Sequence, residues 1–487
     1  MQLACEGHAQ IRTLSEGLRQ VLNPPAVLEE PVLWGASPAD ASGASIYGSV
    51  IREGGRFRMW YQAWPEDWDG EDVVAVACAE SEDGLNWRRP DYGLIDCGGS
   101  RHNHLTDLPF HSPTIFIDPH AAPEARYRAL GYTAPKKLGE RYSHQVSRPG
   151  YYSAHSADGI HWQLEGADPL WPHSDVITAA WDPQADCARI ALKISGRAAG
   201  MYRRRFFGAE WAAGQATAPV STLIPDEHDD TNARARGFHT ADYYGVGLMP
   251  TQGPTIGFLW NFRHQTPLGH HPPLMAYYGW TGTVDLSVVY QLERGGRWFH
   301  LPGRPDWLRA LDAPSWARGA LYTSSSPVEV GEETWLYFTG TKDRHGWCGH
   351  EVDYNAYIKA AAAQGGFARI GLAKWRRHRI MGYQAVLLER LHLTPRPAAQ
   401  SRLALNVLTR PGGSVRVGLA KTDGQPLPGY EMEKSIPIAG DHLEAQVRWQ
   451  GDPALPRLVI GEELVAQVEL RDAVLYAFDF ALAQGEG

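Results

Sequence analysis

The chain has 487 residues, of which 43% are hydrophobic and 21% charged, with a formal net charge of −9. That length and apolar content suit a large buried core and more than one domain. A net negative charge without a basic run argues against nucleic acid as a partner.

Five cysteines (Cys5, Cys78, Cys97, Cys187 and Cys348) are odd in number and lack CxxC spacing. This argues against a disulfide framework or a zinc site and leads to the expectation of a reducing, cytoplasmic location. The opening MQLACEGHAQIRTL has no apolar h-region, so no signal peptide is visible. No apolar run is long enough to cross a bilayer. Abundant Gly (51), Trp (18) and Tyr (21) suit a turn-rich β protein or a sugar binder.

In chain order, residues 1–44 are expected to form an N-terminal extension packing on the repeats downstream of it. From Ser45 the sequence reads as five hairpins, each with period-2 alternation and a turn of Gly, Pro or Asp. Their first strands are expected at Ser45–Val50, Thr114–Ile117, Ile177–Trp181, Tyr243–Met249 and Ala320–Val330. Four Gly-x-x-Trp copies come after third strands: Gly84–Trp87, Gly159–Trp162, Gly208–Trp211 and Gly295–Trp298. The first two share the longer form Ser-x-Asp-Gly-x-x-Trp, a tight-turn signal because Gly accepts φ > 0 and Asp bonds the backbone ahead of it. Trp87 and Trp162 are expected to be buried between neighbouring repeats.

A turn-plus-Trp unit recurring with hairpins is the pattern of a β-propeller. The expected fold is all-β, a five-bladed β-propeller over 45–366. A short helix over Asp353–Ala363 interrupts the fifth repeat. A β-sandwich of short strands is expected over 367–487, with turns at Pro411-Gly412-Gly413 and Asp423-Gly424.

The Ser-x-Asp-Gly-x-x-Trp turns, with Arg58-Met59-Trp60-Tyr61-Gln62 and Ile370-Gly371-Leu372-Ala373, resemble the glycoside hydrolase family 32 and family 43 superfamily along essentially the whole chain. The resemblance implies a propeller with a C-terminal sandwich, and carboxylates at the entrances of the inner strands. The stretches that match the family motifs read Ala44-Ser45-Ile46-Tyr47-Gly48, His111-Ser112-Pro113 and Ser174-Asp175. Of the catalytic carboxylates, the resemblance carries over Asp175 alone.

In a propeller, the loops entering each inner strand and those joining second and third strands open on one face around the axis. Glycoside cleavage needs an acid for the leaving oxygen and a carboxylate base or nucleophile. Asp175 and Asp242, before inner strands of neighbouring repeats, are the candidate pair, with Asp230 in reserve and Asp285 behind it. Asn103, His104, His111, His239, Arg344 and His345 are candidate substrate-binding residues, and Trp64 and Trp68 are candidates for stacking on a sugar face. His-x-His spacing is commonly polar surface, so no cofactor is expected, with a metal ion held by the histidines left open as the less favoured reading.

The expected function is a carbohydrate-active enzyme cleaving a glycosidic bond in an axial pocket, as a glycoside hydrolase. The excess of histidines keeps open a lyase-like sugar enzyme using His and Tyr, and a non-catalytic glycan-binding propeller is the third reading. The expected partner is a sugar or oligosaccharide rather than nucleic acid or a membrane, with a homo-oligomer left open.

Overall fold

The computed structural model describes residues 1–66, 75–139, 141–172, 175–198, 201–265, 281–293, 296–345, 354–459 and 463–485. The protein is all-β, with strands arranged in a propeller-like order. No described helix is long and apolar enough to cross a membrane.

Five antiparallel groups succeed one another along the chain, the fourth and fifth joined in one ten-stranded sheet by a parallel pairing of Val284 with Ala320. The first contains Gly43–Glu53, Arg56–Trp64 and Val76–Ser81. The second contains His111–Ile117, Tyr127–Thr133, Gly150–Ser156 and Gln163–Leu164. The third contains Ile177–Asp182, Cys187–Ala198 and Met201–Ala212. The fourth contains Thr240–Met249, Thr255–His264 and Gly282–Gln291. The fifth contains Ala320–Thr323, Glu333–Thr341 and Ala368–Arg376.

The first strands of these groups are tied to one another in a closed ring. Ile115 N donates to Ser49 Oγ at 2.8 Å, and Ala179 N to Thr114 Oγ1 at 2.8 Å. Thr178 Oγ1 donates to Val246 O at 2.5 Å. Leu248 N donates to Ser325 O at 2.7 Å, and Ser325 N returns to Gly48 O at 2.9 Å. Buried Ser and Thr at these positions supply bonds that splayed strands cannot make through their ladders.

The two long repeat turns are the same structure twice. Ser81 Oγ accepts Gly84 N at 2.9 Å, and Asp83 Oδ1 accepts Leu85 N and Asn86 N at 2.8 Å. Ser156 Oγ accepts Gly159 N at 2.8 Å, and Asp158 Oδ1 accepts Ile160 N at 2.8 Å and His161 N at 2.9 Å. Each turn's Gly carbonyl then receives a neighbouring group. Tyr337 Oη donates to Gly84 O at 2.8 Å and Trp60 Nε1 to Gly159 O at 2.6 Å.

Trp162 is buried at 2% exposure, whereas Trp87 is only half-buried. The third copy is no turn at all, because Gly208 and Trp211 lie inside the continuous strand Met201–Ala212. Of the fourth copy, Gly295 lies outside the described residues, and Trp298 opens the short strand Trp298–His300.

The C-terminal strands form one further sheet around their own apolar core. Two 20-residue strands, Arg402–Lys421 and Leu464–Ala483, pair along their lengths, flanked by Asp441–Gln446 and Met381–Leu393. The turn expected at Pro411–Gly413 is instead a bulge inside Arg402–Lys421, between Thr409 and Ser414.

Ala368–Arg376, expected among the C-terminal strands, pairs with Glu333–Thr341 and so belongs with the fifth group. The N-terminal segment is shared. Ala26–Val27 pairs with Ala368–Arg376, while Gln2–Leu3, Ile11–Leu14 and Arg19–Leu22 pair with C-terminal strands.

Candidate active site

The ring of first strands aims a set of polar side chains at its centre through backbone irregularities. The register shifts between Ser45 and Ser49, between His111 and Thr114, and between Tyr243 and Gly245. Bulges re-aim side chains that a regular pleat would point elsewhere. These three carry Tyr47, His111 and Tyr244. Gly48 and Gly245 permit them, since a Cβ would lie 1.9 Å from Trp60 O at the first and 2.0 Å from Trp260 Cε3 at the second.

Asp175 stands at the entrance of Ile177–Asp182 with φ of +102°, a conformation that L residues rarely adopt. Its carboxylate is ion-paired with Lys193 Nζ and lies 3.3 Å from His111 Nε2. Lys193 is 1% exposed, and its ammonium also sits 4.0 Å above the Tyr244 ring centroid. Tyr151 clamps the backbone beside this pair, donating to Val176 O at 2.9 Å and Lys193 O at 3.0 Å. Burial pushes the Asp175 carboxyl up. The Lys193 charge and the His111 hydrogen bond outweigh it and hold the carboxyl well below the usual range. Asp175 is therefore a fixed anion, with a third of its side chain exposed.

Aromatic rings close the rest of the ring. Tyr47 lies 6.0 Å from His111 and 5.4 Å from Tyr322, and Tyr244 lies 5.4 Å from Tyr322, centroid to centroid. Burial raises the Tyr47 phenol, with Tyr244, Tyr322 and Asp175 adding to it. His345 completes the wall, its Nδ1 3.1 Å from Tyr322 Oη and its ring 4.7 Å from that of Tyr244.

The structure thus brings together Asp175, His111 and His345 from the residues expected, and adds Lys193, Tyr47, Tyr244 and Tyr322. Asp242 shares a strand with Tyr244, but it is fully buried, accepts Tyr243 N at 2.9 Å and lies 3.8 Å from His264. Asp230, in the helix Glu227–Ala235, accepts Ala241 N at 3.0 Å and so anchors the start of the fourth group. Asp285 is bound by Arg263 and by Ala310 N in the core.

His104 is buried elsewhere, 2.7 Å from Tyr61 Oη and 3.4 Å from Asp40. Asn103 holds its own loop by donating to Ile95 O at 2.8 Å and accepting Leu105 N at 3.0 Å. Trp64 donates to Ser45 Oγ at 3.1 Å and packs on Phe367 at 5.5 Å. His239 is exposed, and Arg344 is exposed and bonded to Gln265 Oε1 at 2.8 Å. Trp68 lies outside the described residues.

No family model matches the chain. Among curated proteins it is similar to uncharacterized protein Rv1502 of Mycobacterium tuberculosis strain ATCC 25618 / H37Rv, at 29% identity over 139 residues. It is also similar to uncharacterized protein MT1551 of strain CDC 1551 / Oshkosh, at 30% identity over 139 residues. Each match covers 28% of this chain and 38% of the relative's length.

Among solved structures it is similar to the Phanerochaete chrysosporium exo-beta-1,3-galactanase with galactose, with TM-score 0.39, 11% identity, and coverage of 92% of this chain and 100% of that one. It is similar to the Bombyx mori GH32 beta-fructofuranosidase, with TM-score 0.41, 10% identity, and coverage of 93% and 95%. It is also similar to the Podospora anserina alpha-L-arabinofuranosidase in complex with cellotriose, with TM-score 0.42, 10% identity, and coverage of 73% and 98%.

Proposed function

We propose that the five groups are the blades of a five-bladed propeller, with Ala26–Val27 completing the fifth, and that the C-terminal strands form a β-sandwich. In this reading the propeller carries a carbohydrate-active enzyme that cleaves a glycosidic bond in its axial pocket. One observation supports it above the rest: a His111–Asp175–Lys193 array meets three tyrosines and His345 where five inner strands converge. Aromatic faces beside hydroxyl, imidazole and carboxylate groups suit a ligand with apolar ring faces and a polar edge.

Cleavage requires a proton at the leaving oxygen. In this reading His111 takes a proton from a sugar ring carbon and returns it to the leaving oxygen as the C–O bond breaks, the C–H electron pair becoming the double bond of an unsaturated sugar. Asp175 orients the His111 ring and, anchored by Lys193, stays anionic to balance the imidazolium that forms between the two transfers. Tyr47 supplies a hydroxyl and a partly exposed ring, and the buried Tyr244 and Tyr322 back it. Two-carboxylate hydrolysis would need a second carboxyl group about 5–9.5 Å away. Asp242, the expected partner, is fully buried beside His264, which favours the His/Tyr acid–base route.

The test is turnover on a panel of glycosides and polysaccharides, with products monitored by reducing ends and by ultraviolet absorption of unsaturated sugars. His111→Ala should lower turnover by about 10²–10⁴-fold with melting unchanged, and Asp175→Asn should lower it similarly while also lowering the melting temperature, because it leaves the buried Lys193 ammonium unpaired. Wild-type-like turnover in both variants, or a wild type that cleaves nothing on the panel, would sink the reading.

A further inference from the structure

A cleft of about 860 Å³ lies away from the axis, between residues 30–36, the turn that ends at Trp87, and residues 362–369. Trp34 lines it with 45% of its surface exposed, a large exposure for an indole. Its backbone is fixed on both sides. Gly35 N donates to Gly365 O at 3.1 Å, and an Arg89 Nη2 bond closes on Trp34 O. Gly365, at φ +84°, leaves room beside the ring, since a Cβ there would come within 3.1 Å of Trp34 Cδ1.

Two guanidinium groups frame the cleft. Arg89 Nε donates to the buried Asp40 Oδ2 at 2.9 Å, and Arg369 Nη2 donates to Gln364 O. A guanidinium carries five N–H donors on a rigid plane, so both are held while presenting further donors.

We infer that this cleft is an accessory glycan-binding site, in which Trp34 stacks on a sugar ring and Arg89 and Arg369 donate to its hydroxyls. A sugar presents C–H groups on its faces and hydroxyls at its edge, which matches a flat apolar surface beside fixed donors. Mixed lining and two cations suit a polyhydroxylated chain better than an apolar peptide or lipid. The cleft shares none of the axial residues named above, so this inference goes beyond the axial reaction and stands without it.

Native gels cast with galactan, arabinan, mannan or carboxymethylcellulose provide the test, with an empty gel as the reference. Wild type should be retarded in at least one of them. Trp34→Ala should weaken that retardation roughly tenfold, the effect of a lost stacking contact. Arg369→Gln should weaken it less, and His111→Ala should leave it unchanged, all three with wild-type melting. Wild-type retardation in Trp34→Ala would overturn the inference. So would loss in His111→Ala alone, which would place the binding in the axial pocket, or a wild type retarded by none of the four. Loss of the axial reading appears as absent cleavage and leaves these mobilities as they are.

Discussion

Lys193 is the residue on which the axial site's charge depends. It is buried with its ammonium on Asp175 and over Tyr244. An opposite charge in contact with a carboxyl holds its pKa below the ordinary value near 3.9. Because Asp175 is depressed in the folded state, its ionised form stabilises the fold above that ordinary value, and the contribution is lost as pH falls through the depressed one. Lys193→Met should therefore move the acid limb of the pH–rate profile upward, with Lys193→Arg partly restoring it. An unmoved limb would remove Asp175 from the proton economy of the site. Asp175, His111 and His345 were legible because a polar residue at a strand entrance or loop stands out. Lys193 and the three tyrosines were not. They lie inside strands whose apolar neighbours read as core, and only the bulges reveal which way Tyr47 and Tyr244 point.

At the scale of elements, the Ser-x-Asp-Gly-x-x-Trp turn is a latch between neighbouring strand groups as much as a chain reversal. Gly159 O accepts both Trp162 Nε1 at 3.1 Å and Trp60 Nε1 at 2.6 Å, so one carbonyl joins two groups. Trp162→Ala should cost about 3–5 kcal/mol, as expected for a fully buried indole. Trp87→Ala should cost less, because Trp87 is half-buried. Gly159→Ala should also destabilise, by more than about 1 kcal/mol, since φ is +77° and the new Cβ would lie 2.6 Å from Trp60. Chemical denaturation of the three variants checks the order, and a Trp87 variant weaker than the Trp162 one would show the latch reading to be wrong. The hairpins and these two turns were legible because turn chemistry is local. Gly208–Trp211 carries the same four-residue signature without the Ser and Asp that cap the turn, and there the strand simply continues.

Across the whole molecule, the N-terminal segment sews distant parts of the chain together, and no local pattern announces this. Ala26–Val27 edges the fifth group, while residues 2–22 add three strands to the C-terminal sheet, so the division near residue 366 was drawn without long-range partners to consult. His8 sits at that seam. It is 6% exposed, its Nδ1 accepts Gln10 N at 3.1 Å, and its ring packs on Phe478 at 5.1 Å. Burial lowers its pKa to about 4 from an ordinary 6.5. The unfolded chain takes up a proton at this histidine below about pH 6.5 while the folded one does not until about pH 4, so stability must fall across that window as pH drops. The drop attributable to His8 is about 3 kcal/mol. His300 and His378 are lowered to about 4 by burial in the same direction and steepen the slope. His8→Gln keeps a polar group at the seam without the titration. Its urea midpoint should therefore start below wild type near neutral pH and converge with it toward pH 4. Parallel midpoints for the two proteins across that range would mean that His8 takes its proton in the folded state, and that the seam is open to water.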